Sequence, residues 1–408
     1  MSPGGSSGIE LEPQGLIPVL FTHFGDRWIR GSETLLLDLL KHLDLSRFRP
    51  VVWCNGTEMA AACHDAGFET HRTEFAHYFD ADSPRFSPRR YVALVREGRS
   101  LVRRYGIRVL HANSAAPTQW LLPVARSARV PLLTHLHIGY LRRSRYALLL
   151  HQADMIVGVS RQVVADPIGD GTPVARTQVI YNGIDFARMT TPPGTDLRPE
   201  LGIPADAVVI GAVGSLIHRK GYDILVRALS VLPRNRPPHL LIAGDGPEQG
   251  ALQGLAQQLG IADRVHFLGF RNPVSDVYRS CDIVALASRA EAFGLVLAEA
   301  GYSYRPVVAT RVGGIPEVIV EGSTGYLVPP DDVEAMAGAL SRLTQDPALR
   351  AAFGLAGRAR AEAAFSAQRM AMEFHAIYER LARLPRRRLG WGAVVRKSGV
   401  YARLLRGR

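Results

Sequence analysis

Two glutamates, Glu291 and Glu299, stand eight residues apart in a stretch whose residue types suit the binding of a long anionic ligand. A short apolar run typical of a buried strand, residues 283–287, precedes them, and a helical segment rich in Leu and Ala begins near Gly294. The first turn of a helix offers free N–H groups and a positive dipole, which suit a phosphate. Glu299 follows about 7.5 Å farther along the helix axis. We therefore expect Glu291 at one end of the ligand, a diphosphate over the amides of residues 293–295, and a hydroxyl pair against Glu299.

The same pattern also fits two carboxylates on the exposed surface of a helix, and this stretch alone leaves both interpretations open. The chain that follows adds further elements. A predicted strand, residues 305–310, leads into V-G-G-I-P-E at residues 312–317, and residues 321–329 read E-G-S-T-G-Y-L-V-P. The run from Glu291 to Val328 resembles the sequence pattern of retaining glycosyltransferases of family 4, which have the GT-B fold. That pattern is E-x7-E, then P-V-V-A/G-T, G-G-x-x-E and G-x-x-G-x-L-V, and the match is nearly unbroken.

The length and composition of the chain favour a soluble globular protein of two or three domains. It has 408 residues, 47% of them hydrophobic, and no apolar run approaches the roughly 18 residues of a membrane-spanning helix. The few, scattered cysteines form neither a disulfide framework nor a metal-binding pattern, which predicts a reducing cytoplasm. The first residues are rich in Gly and Ser and lack the basic and apolar regions of a signal peptide, so we predict a flexible tail over residues 1–14.

Positive charge is concentrated at the C-terminal end. The net charge is +12, and residues 380–408 contribute nine Arg and one Lys without an acidic residue, so the rest of the chain carries about +2 (12 − 10). If the segment from Trp391 onward is helical, apolar side chains fall roughly on one side and basic ones on the rest, which suits an anionic membrane surface. A disordered, solvated tail is the alternative. A nucleic-acid-binding protein is disfavoured, because the basic run lacks zinc-binding and base-stacking motifs.

Strands and helices are predicted to alternate in two successive units. An opening strand over residues 15–22, followed by helix, strand and helix, indicates a parallel sheet, and the pattern restarts at residue 208. Such sheets bind ligands at the carboxyl ends of their strands. With the resemblance, we predict an α/β protein of the GT-B type, with two doubly wound Rossmann-like domains facing a cleft. The predicted segments are an acceptor-side N-terminal domain (residues 15–189), a linker (190–199) and a nucleotide-sugar-binding domain (200–365). A helix that crosses back to the first domain (366–384) and a basic tail (385–408) follow.

Two loops of the first domain match the family at predicted strand ends. The loop after the first strand resembles G-G-x-E, which faces the donor phosphates in the family; Gly31 and Glu33 match, whereas Arg30 replaces the first Gly. In the family, a histidine of a later loop lies beside the anomeric centre of the donor sugar. The resemblance assigns this place to His137, with His135 as the second candidate. Without the resemblance, an ordinary strand–helix turn and structural histidines explain these residues.

One loop of the second domain, residues 214–221, resembles the family's G-R-L-x-x-x-K-G. Lys220 is retained, and the resemblance places it at the donor diphosphate; without the motif, it fits a solvated surface lysine. The family's arginine, which pairs with the diphosphate, is Ser215 here. Arg219 is a candidate for the missing charge, although side chains of neighbouring residues point in different directions. The later segment 244–248 matches G-x-G-P-E and is not a dinucleotide-binding fingerprint.

The resemblance implies transfer of a sugar from a UDP- or GDP-linked donor to an acceptor hydroxyl, with retained anomeric configuration. The implied acceptor is a glycan or a lipid-linked molecule, in the biosynthesis of cell-surface polysaccharide, lipopolysaccharide or glycolipid. We expect no cofactor and no metal, since Lys220, helix N-termini and loop amides can stabilise the leaving charge. The one Asp-x-Asp, residues 80–82, does not directly follow a predicted strand. We expect a cytoplasmic protein, with peripheral attachment to the inner face of the cell membrane through the tail.

The expected site has catalytic and donor-binding members. The catalytic residues are His137, Glu291 and Lys220. The donor-binding residues are Gly31, Ser215, Arg219, Lys220, Phe270, Arg271, Glu291, Phe293, Gly294, Leu295 and Glu299. No carboxylate nucleophile is evident, so we expect same-face substitution within an ion pair rather than a glycosyl-enzyme. Two alternatives stay open: a sugar-nucleotide epimerase or hydrolase on the same fold, and an inactive nucleotide-sugar-binding subunit, which the departures at Arg30 and Ser215 allow.

Overall fold

The first half of the chain forms a seven-stranded parallel sheet. The computed structural model describes residues 15–25, 29, 31–75, 87–190, 194–233 and 236–385. The strands of this sheet are β1 (Ile17–His23), β2 (Phe48–Cys54), β3 (Glu69–Arg72), β4 (Val109–Ala112), β5 (Leu132–Leu136), β6 (Met155–Gly158) and β7 (Thr177–Val179). Their spatial order is β3-β2-β1-β4-β5-β6-β7. The inner strands β4, β5 and β6 are buried along their whole length, because helices cover both faces of a parallel sheet.

Helices connect these strands, and local capping defines several of their ends. They are α1 (Gly31–Lys41), α2 (Thr57–Asp65), α3 (Pro88–Tyr105), α4 (Thr118–Ala128), α5 (Arg142–Ala147), α6 (Arg161–Gly169) and α7 (Phe186–Thr190). The hydroxyl of Ser160 accepts a hydrogen bond from the amide of Val163 at 3.3 Å and so caps α6. Gly106 ends α3 with φ 61°, the left-handed conformation that glycine adopts most readily.

The second half repeats the arrangement with a six-stranded parallel sheet. Its strands are β8 (Val209–Val213), β9 (His239–Ala243), β10 (Val265–Gly269), β11 (Ile283–Leu286), β12 (Val307–Thr310) and β13 (Gly325–Val328), in the spatial order β10-β9-β8-β11-β12-β13. Its helices are α8 (Tyr222–Ser230), α9 (Gln249–Gln258), α10 (Ser275–Ser280), α11 (Leu295–Tyr302), α12 (Ile315–Val318), α13 (Val333–Gln345) and α14 (Pro347–Ala364). The predicted pair of doubly wound Rossmann-like domains is therefore confirmed.

A last helix, α15 (Ala367–Ala382), packs against the first domain. Its Tyr378 lies between strand residues, with its ring 5.9 Å from that of Phe21 and its hydroxyl oxygen 2.7 Å from Nδ1 of His111. Near its end, the carbonyl of Ala382 accepts a hydrogen bond from Arg108 at 3.0 Å. The helix thus ties the end of the described chain to the first sheet, over nearly the range 366–384 that the sequence predicts for a crossover helix.

The segment predicted as a linker, residues 190–199, is divided by the structure. Its residues 191–193 lie outside the described residues. The amide of Leu197 donates to Oγ of Ser280 at 2.7 Å, and Nη2 of Arg198 lies 2.8 Å from Oδ2 of Asp282. Residues 194–199 therefore pack on the second domain and belong to it structurally.

The carboxyl edges of the two sheets face each other. The amide of Arg161, just after β6, donates to both carboxylate oxygens of Glu317, in α12, at 2.9 and 3.0 Å. The ring of Tyr181, just after β7, lies 5.9 Å from the ring of Phe293, in the loop after β11. Since open α/β sheets bind ligands beyond the carboxyl ends of their strands, a site between the domains can draw on both sheets.

The described part of the chain bears on two expectations from composition, which concern membrane-spanning helices and cysteines. No helix in it is long and apolar enough to span a membrane. Its cysteines Cys54, Cys63 and Cys281 are buried free thiols. Burial raises the pKa of each of these thiols above its usual value, so at neutral pH they stay protonated.

Candidate functional site

A lysine–glutamate pair lies at the carboxyl edge of the second sheet. Nζ of Lys220 is 2.5 Å from Oε2 of Glu291, and both side chains are largely buried. Lys220 ends a single 3₁₀ turn after β8, and Gly221 follows with φ 64°. A Cβ on Gly221 would lie 2.0 Å from the carbonyl oxygen of Ala287, so only glycine allows the turn to pack against the end of β11. The pair that the sequence predicts as catalytic is thus brought together by two neighbouring strand ends.

Arg219 contributes a second cation to the same carboxylate. Its Nη1 donates to the carbonyl of Ala290 at 2.8 Å and lies 3.9 Å from Oε2 of Glu291. Although Arg219 and Lys220 are sequence neighbours, the 3₁₀ turn brings both side chains to one acceptor. Ser215 lies half-buried just after β8, and no residue in the described ranges hydrogen-bonds its hydroxyl. The loop thus lacks the family's arginine at Ser215 but contains another cation, Arg219, beside Glu291.

Arg289, which the sequence reasoning missed, holds this loop in place. Its guanidinium makes two hydrogen bonds to the carboxylate of Asp223, at 3.0 and 2.8 Å, and one to the carbonyl of His218, at 2.7 Å. Its Nε donates to Oδ1 of Asp331 at 2.6 Å. Burial alone would raise the pKa of Asp223, but the hydrogen bonds and charge of Arg289 outweigh it and lower that pKa. No local pattern marks Arg289, because its partners are distant in sequence.

Two glycines bring the loop after β12 against Glu291. Gly313 has φ 54°, and a Cβ there would lie 1.7 Å from the carbonyl oxygen of Glu291. The amide of Gly314 donates to the same carbonyl at 3.0 Å. The G-G of the predicted G-G-x-x-E therefore has a structural cause: the backbone of this loop approaches the Glu291 loop more closely than any side chain permits.

The N-terminus of α11 offers backbone amides rather than side chains. Gly294, with φ 92°, precedes the helix, and the amides of Leu295 and Val296 have no acceptor among the described residues. The ring of Phe293 is buried and lies 5.5 Å from that of Phe365. Phe293 therefore anchors the loop, while the first-turn amides present the partial positive charge that suits a phosphate.

Glu299 is buried in a network that joins the two domains. Its Oε2 accepts a hydrogen bond from the hydroxyl of Tyr278 at 2.8 Å, and its Oε1 lies 3.7 Å from Nη2 of Arg188. Arg188 also lies 3.5 Å from Asp38, a buried carboxylate of the first domain. Burial raises the pKa of Glu299, although the charge of Arg188 and the hydrogen bond from Tyr278 oppose this. The sequence predicts Glu299 near a ligand but does not reveal Tyr278, Arg188 or Asp38.

The donor-binding candidates after β10 lie at the surface of the same sheet edge. Phe270 is 68% exposed, an unusual degree for a large apolar side chain. Nη2 of Arg271 lies 3.9 Å from Oε1 of Glu200, and its buried Nε has no hydrogen-bond partner within the described ranges. Phe270 and Arg271 are therefore available to a ligand. Gly31, the remaining donor-binding candidate, lies in the first domain, where it begins α1.

Histidines of the first domain form a hydrogen-bonded cluster at the ends of β1, β4 and β5. Nε2 of His137 donates to Oδ1 of Asn113 at 3.0 Å, and Nδ2 of Asn113 donates to Nδ1 of His23 at 3.0 Å. Nε2 of His23 donates to Oε1 of Glu33 at 2.8 Å. His135, the second candidate, lies within β5, and neither of its ring nitrogens has a partner in the described chain. The sequence pointed to His137 and Glu33 but missed Asn113 and His23, which connect them.

Burial keeps three histidines of this region, His111, His135 and His137, neutral. It lowers the pKa of His137 to about 3 and that of His111 to about 3, and it also lowers the pKa of His135. Neighbouring histidines contribute to each of these shifts. The charge of Glu33 opposes the shift at His137, but burial outweighs it. Neutral imidazoles can hydrogen-bond or accept a proton. The residues Arg30, Asp80 and Asp82, which the sequence singles out, lie outside the described residues.

Stability is expected to fall as the pH drops below about 6.5, the ordinary pKa of histidine. Above that value, His111, His135 and His137 are neutral in both the folded and the unfolded chain. Below it, the unfolded chain binds protons that the folded chain excludes, so each of these three histidines lowers the free energy of unfolding by about 1.4 kcal/mol per pH unit. Urea denaturation between pH 7.5 and 5 measures this. His135→Leu, which removes an imidazole without hydrogen bonds, should flatten the profile. The exposed control His64→Ala should not, and equal profiles for all three proteins would contradict the expectation.

No group of three or more His, Cys, Asp or Glu residues in the described ranges is arranged to hold a metal ion. The groups that the described part of the site brings together are cations, amides and imidazoles. Lys220, Arg219 and the α11 amides can stabilise a diphosphate leaving group, and Glu291 can accept hydrogen bonds from hydroxyls.

Two family profiles match the chain, one in each domain. The profile described as Glycosyltransferase Family 4 matches residues 29–188, and the one described as Glycosyl transferases group 1 matches residues 194–360. The gap between the two matches coincides with the boundary that the contacts of residues 194–199 define.

Two of the relatives are named as transferases of defined substrates. A D-inositol 3-phosphate glycosyltransferase of Corynebacterium jeikeium is 39% identical over 57% of this chain and 59% of its own length. A GDP-mannose-dependent alpha-(1-6)-phosphatidylinositol monomannoside mannosyltransferase of Mycolicibacterium smegmatis is 33% identical over 63% of this chain and 72% of its own length. The chain thus spans less than two thirds of the first of these relatives.

Solved structures share the architecture. Anabaena Alr3699/HepE in complex with UDP has a TM-score of 0.75 and 23% identity, covering 89% of this chain and 100% of that one. Sucrose-phosphate synthase from Thermosynechococcus elongatus has a TM-score of 0.73 and 23% identity, covering 90% and 99% of the two chains. At these identities the likeness shows the fold, and the predicted GT-B type is confirmed.

Proposed function

Because the chain belongs to glycosyltransferase family 4, we propose that it transfers a sugar from a nucleotide diphosphate sugar to an acceptor hydroxyl with retained anomeric configuration. The observation that carries this proposal is the Lys220–Glu291 pair, 2.5 Å apart beside the free amides at the start of α11. The loops after two neighbouring strands, β8 and β11, thereby combine a cation and amides for a diphosphate with a carboxylate for sugar hydroxyls.

In the proposed reaction, Lys220 and the amides of Leu295 and Val296 stabilise the charge that develops on the departing diphosphate. Glu291 binds sugar hydroxyls, and His137 lies beside the anomeric centre. The bond from the anomeric carbon to the diphosphate oxygen breaks, and the acceptor oxygen forms a bond on the same face while the acceptor proton passes to the departing diphosphate. This route needs no carboxylate nucleophile, and Glu291 is already engaged by two cations.

The donor and acceptor are proposed by class. UDP and GDP sugars are the two donor classes to test, and a glycan or lipid-linked acceptor is expected. We further propose peripheral attachment of the protein to the inner face of an anionic membrane through its basic tail. Residues 386–408, outside the described residues, carry eight basic residues and no acidic one. Each Lys or Arg near an anionic surface contributes about 1 kcal/mol to binding.

Sugar transfer to an added acceptor tests the proposal. A panel of UDP and GDP sugars should first identify the donor by thermal shift, since a ligand of the native state raises its apparent stability. With that donor and a mixture of lipid-linked acceptors, we expect a glycosylated product of retained configuration. Free nucleotide with an epimerised or released sugar would support the epimerase or hydrolase alternative. Donor binding without any turnover would support the inactive subunit.

Removal of divalent metal is the second arm of this experiment. Product formation is expected to continue in EDTA, because the cationic and amide groups of the site can stabilise the diphosphate. Complete loss of activity, restored by Mg²⁺ or Mn²⁺, would contradict metal independence and direct attention to Asp80 and Asp82.

Glu299→Gln is expected to weaken binding of both the donor and the free nucleoside diphosphate by about tenfold, because it removes the carboxylate proposed to bind the ribose hydroxyls. Isothermal titration measures both affinities. Asp38→Asn is the matched control, since it alters the other carboxylate beside Arg188. If both variants lose nucleotide affinity equally, Glu299 acts through the buried network and not on the ribose.

A further inference from the structure

A pocket lies at the edge of the first sheet opposite the candidate site. It has a volume of about 570 Å³ and opens where β4, β5, β6 and β7 begin. Its lining includes a single carboxylate, that of Asp154, and four arginines, Arg108, Arg126, Arg129 and Arg176. The formal charge of the lining is therefore +3 (4 − 1). None of these residues belongs to the proposed donor site.

Three of the arginines are each fixed by a hydrogen bond to a backbone carbonyl, which leaves most of their N–H groups free to bind a ligand. Arg108 donates to the carbonyl of Ala382 at 3.0 Å, Arg126 to that of Gln152 at 2.8 Å, and Arg176 to that of Ala153 at 3.3 Å. Each guanidinium has five N–H groups, and in the described chain each forms only this one hydrogen bond. Fixed guanidinium groups with unused donors are suited to phosphate oxygens.

The acidic residue of the pocket does not neutralise the arginines. Oδ2 of Asp154 accepts the amide of Leu132 at 2.9 Å, and its Oδ1 lies 4.0 Å from Nη1 of Arg126. Arg129 is exposed and has no ion-pair or hydrogen-bond partner among the described residues. The lining therefore keeps a net positive charge, which favours the binding of an anion in the pocket.

The other wall of the pocket is apolar and identifies the kind of anion. It includes Val130, Pro131, Leu384 and Pro385, and Leu384 is 45% exposed. A free inorganic phosphate would gain nothing from such a wall, whereas a phosphate ester next to hydrocarbon would contact both surfaces. The tail of this chain is excluded as the occupant by its charge, since residues 386–408 contribute +8.

We propose that this pocket binds the phosphate head group of an anionic phospholipid and so docks the first domain on a membrane surface. Pro385, the first residue of the basic tail, lines the pocket, so a lipid bound there would bring the rest of the tail to the same surface. The inference goes beyond the proposed sugar transfer, because it assigns a second site on the opposite edge of the sheet.

Vesicle flotation of the full chain tests the pocket. Vesicles of phosphatidylcholine with a minority of phosphatidylglycerol are compared with pure phosphatidylcholine. Arg129→Glu/Arg176→Glu should weaken binding to the anionic vesicles by about tenfold or more. The matched control is Arg227→Glu/Arg279→Glu, which changes the net charge equally at exposed positions of the second domain and should weaken binding less than about twofold.

Equal weakening by both double variants would overturn the pocket, because net charge alone would then explain binding. A thermal-shift comparison separates the sources of phosphate: short-chain phosphatidylglycerol should stabilise the protein, and inorganic phosphate should do so less. Equal stabilisation by both would overturn the lipid assignment. If the double variant fails to fold, Arg129→Glu alone repeats the test, since Arg129 is exposed. Donor binding without vesicles should be unchanged in every variant, so failure here leaves the proposed sugar transfer intact.

Discussion

Replacement of Lys220 by alanine is expected to lower the turnover number about 10²- to 10³-fold, the loss typical when one group that stabilises developing charge is removed. The lysine is held 2.5 Å from Glu291 and is largely buried, so water cannot easily replace its charge. Because the proposed target is the diphosphate, the affinity for the nucleoside itself should change less than about tenfold. Steady-state kinetics with the identified donor and titration with the nucleoside measure the two effects.

Arg219→Ala is the matched control for this prediction. Arg219 is the adjacent cation, but it lies 3.9 Å from Glu291 and is 45% exposed, so solvent screens its charge more effectively. We expect its loss to lower turnover less than the loss of Lys220. Equal losses would show that Arg219 carries the charge that is absent at Ser215. Unchanged turnover in Lys220→Ala would exclude Lys220 from the reaction.

Gly313→Ala is expected to destabilise the protein by about 2–4 kcal/mol and to abolish most donor binding. The φ of 54° already disfavours an alanine, and the added Cβ would lie 1.7 Å from the carbonyl oxygen of Glu291. That oxygen is backbone, so the Glu291 loop itself must move. Urea denaturation measures the stability, and titration with the donor measures the loss of binding.

Gly322→Ala separates the two causes of this effect. Gly322 lies in the same domain with φ 69°, and a Cβ there would meet nothing within 4 Å. Gly322→Ala therefore reports the backbone strain alone. We expect this variant to lose about 1–2 kcal/mol of unfolding free energy and to bind the donor unchanged. If Gly313→Ala costs no more than this control and retains donor affinity, the two loops are not coupled as the contacts indicate.

The sequence by itself was sufficient for the fold class and, through its family resemblance, for choosing Lys220 and Glu291 as candidates. Strands and helices follow from short-range patterns of apolar residues, turn residues and caps, which fold the chain locally. Lys220 and Glu291 each sit in a motif at a predicted strand end, and parallel sheets bring such ends to one edge. Gly313 and Gly314 also stood out as a motif, although the reason for them, a backbone contact, was not apparent.

Only the tertiary structure decided which of these groups touch and what supports them. The contact between Lys220 and Glu291 joins residues 71 apart, and Arg289 reaches Asp223 across 66. Such pairs depend on how loops from different strands pack, which no local pattern encodes. The same holds for the burial of Glu299 against Arg188 and for the arginine pocket, whose members precede separate strands. Burial and charge proximity are properties of the assembled fold, because distant segments remove water and set the local field together.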